Sequence, residues 1–171
     1  MPNRFALLLV ALLAAPAAAD DLHLHDGRVI DGVVVKSETA SMVEYRRKSV
    51  TQKVDSKEVR DIVYGRTSPE FNAGLTALDE GNALAAAEQF YAAAADENLS
   101  DFVRATAYAE CGEALLANNN FTDALGIFDE LLTTFPDTRH YPRALLGKGR
   151  AQFFLRQVDE AAATFTKLQD E

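Results

Sequence analysis

Tryptophan is absent from the 171 residues, and cysteine occurs once, at Cys111. A single thiol excludes an intramolecular disulfide and any site that needs paired cysteines. It falls beside Gly112 on the packing face of a helical stretch, where an inert buried thiol is the expectation rather than a reactive one. Catalytic signatures are missing as well: there is no G-x-S-x-G, no H-E-x-x-H and no phosphate-binding glycine loop. The acid pairs Asp129-Glu130 and Asp159-Glu160 read as solvated helix surface. Neither an enzyme nor a cofactor is expected. Positive charge is scarce from Thr67 onward, where seventeen acidic residues face seven basic ones for a net −10, whereas Asp20 to Arg66 carries nine of each. That imbalance argues against nucleic acid or anionic lipid as a ligand of the second half. It leaves a neutral or basic protein partner, or plain solubility.

Long apolar runs are missing too, with one exception at the start. Residues 1–19 read MPNRFALLLVALLAAPAAA. Arg4 supplies a positive n-region, Phe5 to Ala15 an apolar run too short to span a bilayer, and Ala17 and Ala19 a small-x-small site before Asp20. The pattern predicts a signal peptide cut after Ala19, and no cysteine follows for a lipid anchor. The expectation is an exported, periplasmic chain with no membrane insertion after cleavage.

Residues 20–65 have β character. Asp26-Gly27 is a strong hairpin signal. Leu22 and Leu24 alternate with His23 and His25 before it. Val29 to Val35 is rich in β-branched residues, and Gly32 within it marks a bend or bulge. Met42 to Tyr45, Val50 to Val54 and Val59 to Tyr64 complete five short strands, with one helical turn at Ser56 to Glu58. A small, strongly bent five-stranded barrel is expected, then a hinge over 66–68.

From Pro69 the apolar period becomes helical. Ser68 caps the first helix with Pro69 at its first position, and Ser100 caps the third. Six helices are expected, over Pro69 to Glu80, Ala83 to Asp96, Asp101 to Ala117, Phe121 to Phe135, Tyr141 to Leu155 and Val158 to Gln169. They pair into hairpins of about 69–98, 101–136 and 141–170. Gly74, Ala86, Phe90 and Ala93 recur as Gly112, Ala124, Phe128 and Leu131 at a shift of 38. The latter four recur as Gly149, Ala161, Phe165 and Leu168 at a shift of 37. The fold class is α+β: a β module followed by a solenoid of three stacked hairpins.

The order small residue, turn, aromatic, Ala, Phe, Pro across Ala105 to Thr138 resembles a tetratricopeptide repeat. The junction F-P-D-T-R-H-Y-P-R-A is similar to repeats of the Tol-Pal-associated cell-division coordinator and of the outer-membrane assembly lipoprotein. The likeness covers about 65 residues and implies a bacterial-envelope compartment and an interaction role. The N-terminal half matches neither. There, L-x-L-x-D-G-R-x-I-x-G-x-V resembles the first half of Sm-like and SH3-like barrels. The Sm likeness implies RNA binding, but its second signature is replaced by Val59-Arg60-Asp61-Ile62. The SH3 likeness implies proline-rich ligands, but the module offers only Tyr45 and Tyr64 for an aromatic groove.

The resemblance to the repeat family implies that the first helix of each hairpin lines a concave face. The lining is then Leu75, Leu78, Asp79, Ala109, Glu113, Leu116, Arg143, Leu146, Arg150 and Phe153, an apolar floor with acids at one end and arginines at the other. A helix or extended peptide of an envelope protein fits such a groove. In the β module, Arg46, Arg47 and Lys48 form either a docking patch or a solvated hairpin tip guarding an edge. His23, His25 and Asp21 offer a weak alternative as metal ligands, set against the ordinary solvent face of a half-buried strand. Solenoid ends need a polar cap. With Leu155, Phe165 and Leu168 thinly covered, either a longer array or self-association through the last hairpin is expected.

Overall fold

The computed structural model describes residues 19–170. The expected signal peptide lies outside the described residues, save Ala19, which is exposed. Five strands come first: β1 (Asp20–Leu24), β2 (Val29–Glu38), β3 (Met42–Arg47), β4 (Val50–Asp55) and β5 (Val59–Val63), with a 3-10 turn at Ser56–Glu58 before β5. They form one antiparallel sheet in the order β4-β3-β2-β1-β5, so β4 and β5 are its edges.

Alternation along the strands decides which face turns inward. Leu22, Leu24, Val33, Val35, Val43 and Tyr45 are buried, and the residues between them are more open. The ten-residue β2 serves two partners. Its first half pairs with β1 and its second half with β3. Gly32 sits between the halves at φ 65°, a backbone conformation that favours glycine, and bends the sheet there. At the first hairpin Gly27 has φ 88°, and the Asp26 carboxylate accepts from Arg28 N–H at 3.0 Å.

Six helices follow: α1 (Pro69–Asp79), α2 (Ala83–Ala94), α3 (Asp101–Ala117), α4 (Phe121–Thr134), α5 (Tyr141–Phe154) and α6 (Val158–Gln169). The Ser68 hydroxyl accepts from Phe71 N–H at 3.1 Å and caps α1. Ser100 stands at the N-cap of α3 but makes no side-chain cap bond, so that expectation holds in position only. Each helix packs on the next from α1 to α6, and α3 also meets α5. With neighbours on several sides, α3 is buried around most of its circumference.

Repetition is visible in two devices. Gly81, Asn119 and Arg156 occupy the same place in the three hairpin turns, and all have positive φ (74°, 59° and 66°). The left-handed residue reverses the chain after the first helix of each pair. Second, an aromatic of each second helix lies against a glycine of the first. A Cβ on Gly74 would stand 2.8 Å from the Phe90 ring and one on Gly112 2.6 Å from Phe128, with Gly149 still closer to Phe165. Phe128 also fills the space over Gly147 of α5, so this one ring joins two hairpins. Phe90 and Phe128 are both fully buried.

The β module and the array share a single core. Tyr64, just past β5, stacks on Phe102 of α3 (5.7 Å between centroids) and meets Phe71 of α1 edge-on (6.5 Å). The 66–68 connection is pinned at both sides: Gly65 N–H donates to the Asp20 carboxylate at 2.8 Å, and Ser68 is buried. Ala40 N–H donates to the Asp137 carbonyl at 2.9 Å, tying the β2–β3 loop to the α4–α5 junction.

Candidate functional site

The expected lining divides when placed on the helices. Leu75 and Leu78 of α1, and Leu146 and Phe153 of α5, are exposed (44%, 37%, 44% and 54%). Asp79 is exposed beside them. Ala109 and Leu116 are not on the surface: at 0% and 5% exposure they belong to the packing of α3, the most enclosed helix. The sequence pattern could not separate them, because a helix enclosed on several sides buries residues of every face.

The charges of this face also differ from expectation. Acids and arginines do not stand at opposite ends. Arg143 Nη1 donates to Glu110 Oε1 at 2.5 Å and Nη2 to Oε2 at 3.1 Å, a two-pronged pair. Glu113 lies 3.7 Å from Arg143 and 3.2 Å from Arg150. The four side chains therefore neutralise one another between α3 and α5. What remains for a ligand is an apolar surface on α1 and α5, divided by an internal ion network.

The β module closes one end of the face. A crevice of about 300 Å³ lies where β5 meets α1 and α3, lined among others by Val63, Asn72, Leu75 and Glu110. Behind it runs a buried polar network that no local sequence pattern marks. The Tyr64 hydroxyl donates to Glu38 Oε1 at 2.6 Å and lies 3.0 Å from Thr106 Oγ1. Arg139 Nε donates to Glu38 Oε2 at 2.5 Å, with side-chain exposures of 9% and 1%. Thr106 donates to the Phe102 carbonyl at 2.8 Å. Thr106 Oγ1 also lies 2.9 Å from His140 Nε2. Burial, followed by the charges of Arg139 and Arg143, holds the His140 pKa well below the ordinary 6.5, so the ring is neutral. Burial raises the Glu38 carboxyl above its ordinary range and lifts the Tyr64 phenol well above its own. The network spans four segments and fixes the module to the array.

The remaining candidates stand apart from this face. Arg46, Arg47 and Lys48 are exposed at the β3–β4 hairpin, with Lys48 in the turn at φ 57°. Arg47 pairs with Asp31 at 2.8 Å. His23 and Asp21 are half-buried and His25 is exposed; Asp21 accepts from Gly32 N–H at 2.9 Å. Among the described residues, no three His, Cys, Asp or Glu side chains gather in a way that could hold a metal. Cys111 is 1% exposed, donates to the Ala87 carbonyl at 3.3 Å, and has its pKa pushed up to about 12 by burial and then by Glu130 and Asp123. Such a thiol is inert.

The family model described as tetratricopeptide repeat matches residues 71–138 and again 112–171. No curated protein matches the chain.

Proposed function

The chain belongs to the tetratricopeptide-repeat family, and from that premise we propose an exported, non-enzymatic scaffold of the bacterial envelope that holds a segment of a partner protein on the concave face of its array. Repeats of this family serve protein–protein interaction, which makes a protein the natural ligand. The observation that carries the site is the exposure of Leu75, Leu78, Leu146 and Phe153 on the first helices of the outer hairpins. Exposed large apolar side chains on a packed helical surface are what a partner segment covers.

The β module acts in this reading as a fixed wall at one end of the face, and its strand order supports an SH3-like description. Export rests on the sequence of residues 1–19. A cut after Ala19 removes none of the contacts above, and leaves Asp20 to accept from Val35 N–H and Gly65 N–H at 2.8 Å each. Phe165 is less buried than Phe90 and Phe128, its repeat equivalents, which supports self-association through the last hairpin as a further use of the array.

The test is a Leu75→Glu, Leu146→Glu double variant, both sites being exposed and free to change without unfolding the array. Affinity-purified from cells and quantified by mass spectrometry, it should lose a discrete partner that the native chain retains. An unchanged set of partners would refute the concave site. Intact mass of the mature protein should begin at Asp20.

A further inference from the structure

The face proposed above is not the only candidate docking surface in the array. On the opposite side, α2 and α4 stand apart over α3 and leave a depression of about 550 Å³. Its floor is apolar, made by Ala87, Cys111 and Leu115, which are buried or nearly so. Its walls carry Leu84 and Tyr91, exposed at 46% and 48%. Gly126 opens onto it, and a Cβ there would meet nothing within 4 Å. The rim is acidic: Glu88, Asp123 and Glu130 all line it, and no lysine or arginine does. None of the three forms an ion pair among the described residues. Asp123 accepts from the Asn120 amide and Glu130 from the Tyr108 hydroxyl, each at 2.6 Å.

The repeat supplies its own comparison. The equivalent groove one hairpin later, between α4 and α6 over α5, contains two cations, Lys148 and Lys167. At the shift of 37, Lys148 stands where Cys111 stands in the first groove and Lys167 where Glu130 stands. Lys148 pairs with Asp129 at 2.5 Å and Lys167 lies over the Tyr141 ring. The second groove therefore holds its own positive charge. The first has an apolar floor, negative edges and no cation.

We propose that the α2–α4 groove is a second docking site, and that its occupant is a basic amphipathic helix of a partner protein, with apolar side chains on the Cys111–Leu115 floor and lysines or arginines against the acidic rim. Charge selects a basic occupant. Backbone accounting selects a helix. The walls and floor are helices whose own main-chain groups are already bonded, so the groove offers no strand edge for an extended peptide to pair with. A helix brings its backbone already satisfied. This site goes beyond the concave face and shares no lining residue with it.

The test uses two synthetic fluorescent peptides of about 14 residues, roughly 21 Å as helix and so comparable with the groove walls. One is a Lys/Leu amphipathic helix, and the other carries Glu in place of every Lys. Binding to the purified mature chain is followed by fluorescence anisotropy. The expected result is salt-sensitive binding of the Lys peptide, and about tenfold weaker binding by Gly126→Leu, which fills the groove, and by Glu88→Lys, Asp123→Asn. Circular dichroism melts establish that each variant is folded; Gly126→Leu improves helix propensity. Leu146→Glu, on the concave face, should bind as the native chain does. Equal binding of both peptides, or undiminished binding by the two groove variants, would overturn the proposal. Loss of binding in Leu146→Glu alone would overturn it in favour of the concave site.

Discussion

Arg139 and His140 show most clearly how single side chains hold this molecule together. They are neighbours in the α4–α5 junction, and their side chains reach Glu38 of the sheet and Thr106 of α3. Removing one partner of a buried pair strands the other charge, so Arg139→Met should cost about 3–5 kcal/mol in urea unfolding. The Glu38→Gln, Arg139→Met double variant should lose less than the two single changes summed. His140 sets a pH dependence whose sign is fixed. Its folded pKa lies well below the 6.5 of the unfolded chain. The unfolded chain therefore binds the extra proton first as pH falls. Stability should be full above about pH 6.5 and decline below it, by at most about 1.4 kcal/mol per pH unit. Burial raises Glu38 and works in the opposite sense at lower pH. The comparison is therefore read between about pH 7.5 and pH 6, and His140→Gln should flatten the slope.

At the scale of elements, the repeat makes paired predictions. The hairpin turns need a left-handed residue, and the first two positions hold Gly81 and Asn119, which adopt it readily, but the third holds Arg156. Arg156→Gly should raise stability by about 1 kcal/mol in thermal melts, with Asn119→Ala changing it the other way. Phe128 leaves no room over Gly147. Gly147→Ala should therefore cost about 1–3 kcal/mol, because the fully buried ring has nowhere to move. Element type and extent were legible in the chain because the signals were local: the Asp26-Gly27 turn, the bend at Gly32, the Asn triplet, and glycines facing aromatics at a fixed shift. Burial within α3 was not, since Ala109 and Leu116 carry the same apolar pattern whether they line a groove or fill a core. The Glu38–Arg139 pair was not legible either, because its members lie 101 residues apart and no local pattern marks them. Glu110 and Arg143 were hidden for the same reason, and their pairing removed the charge polarity the groove was expected to have.

For the whole molecule, the core runs without a break from Leu22 through Tyr64 to Phe71 and into the helices. The β module and array should therefore unfold in one calorimetric transition, and two separated transitions would show that the interface does not couple them. Rigidity of this kind suits a scaffold, because a partner meets a surface already in place and pays less to bind. That the array is the surface in use is tested most directly by in-cell photocrosslinking. The probe stands at Leu146 on the proposed binding face, at Tyr91 beside the α2–α4 groove, and at Arg47 on the β3–β4 hairpin as the contrast, with captured proteins identified by mass spectrometry. The expected result is a discrete protein captured at Leu146 and absent at Arg47. Capture at Arg47 with none at Leu146 or Tyr91 would contradict the array as the binding surface and move binding to the β module.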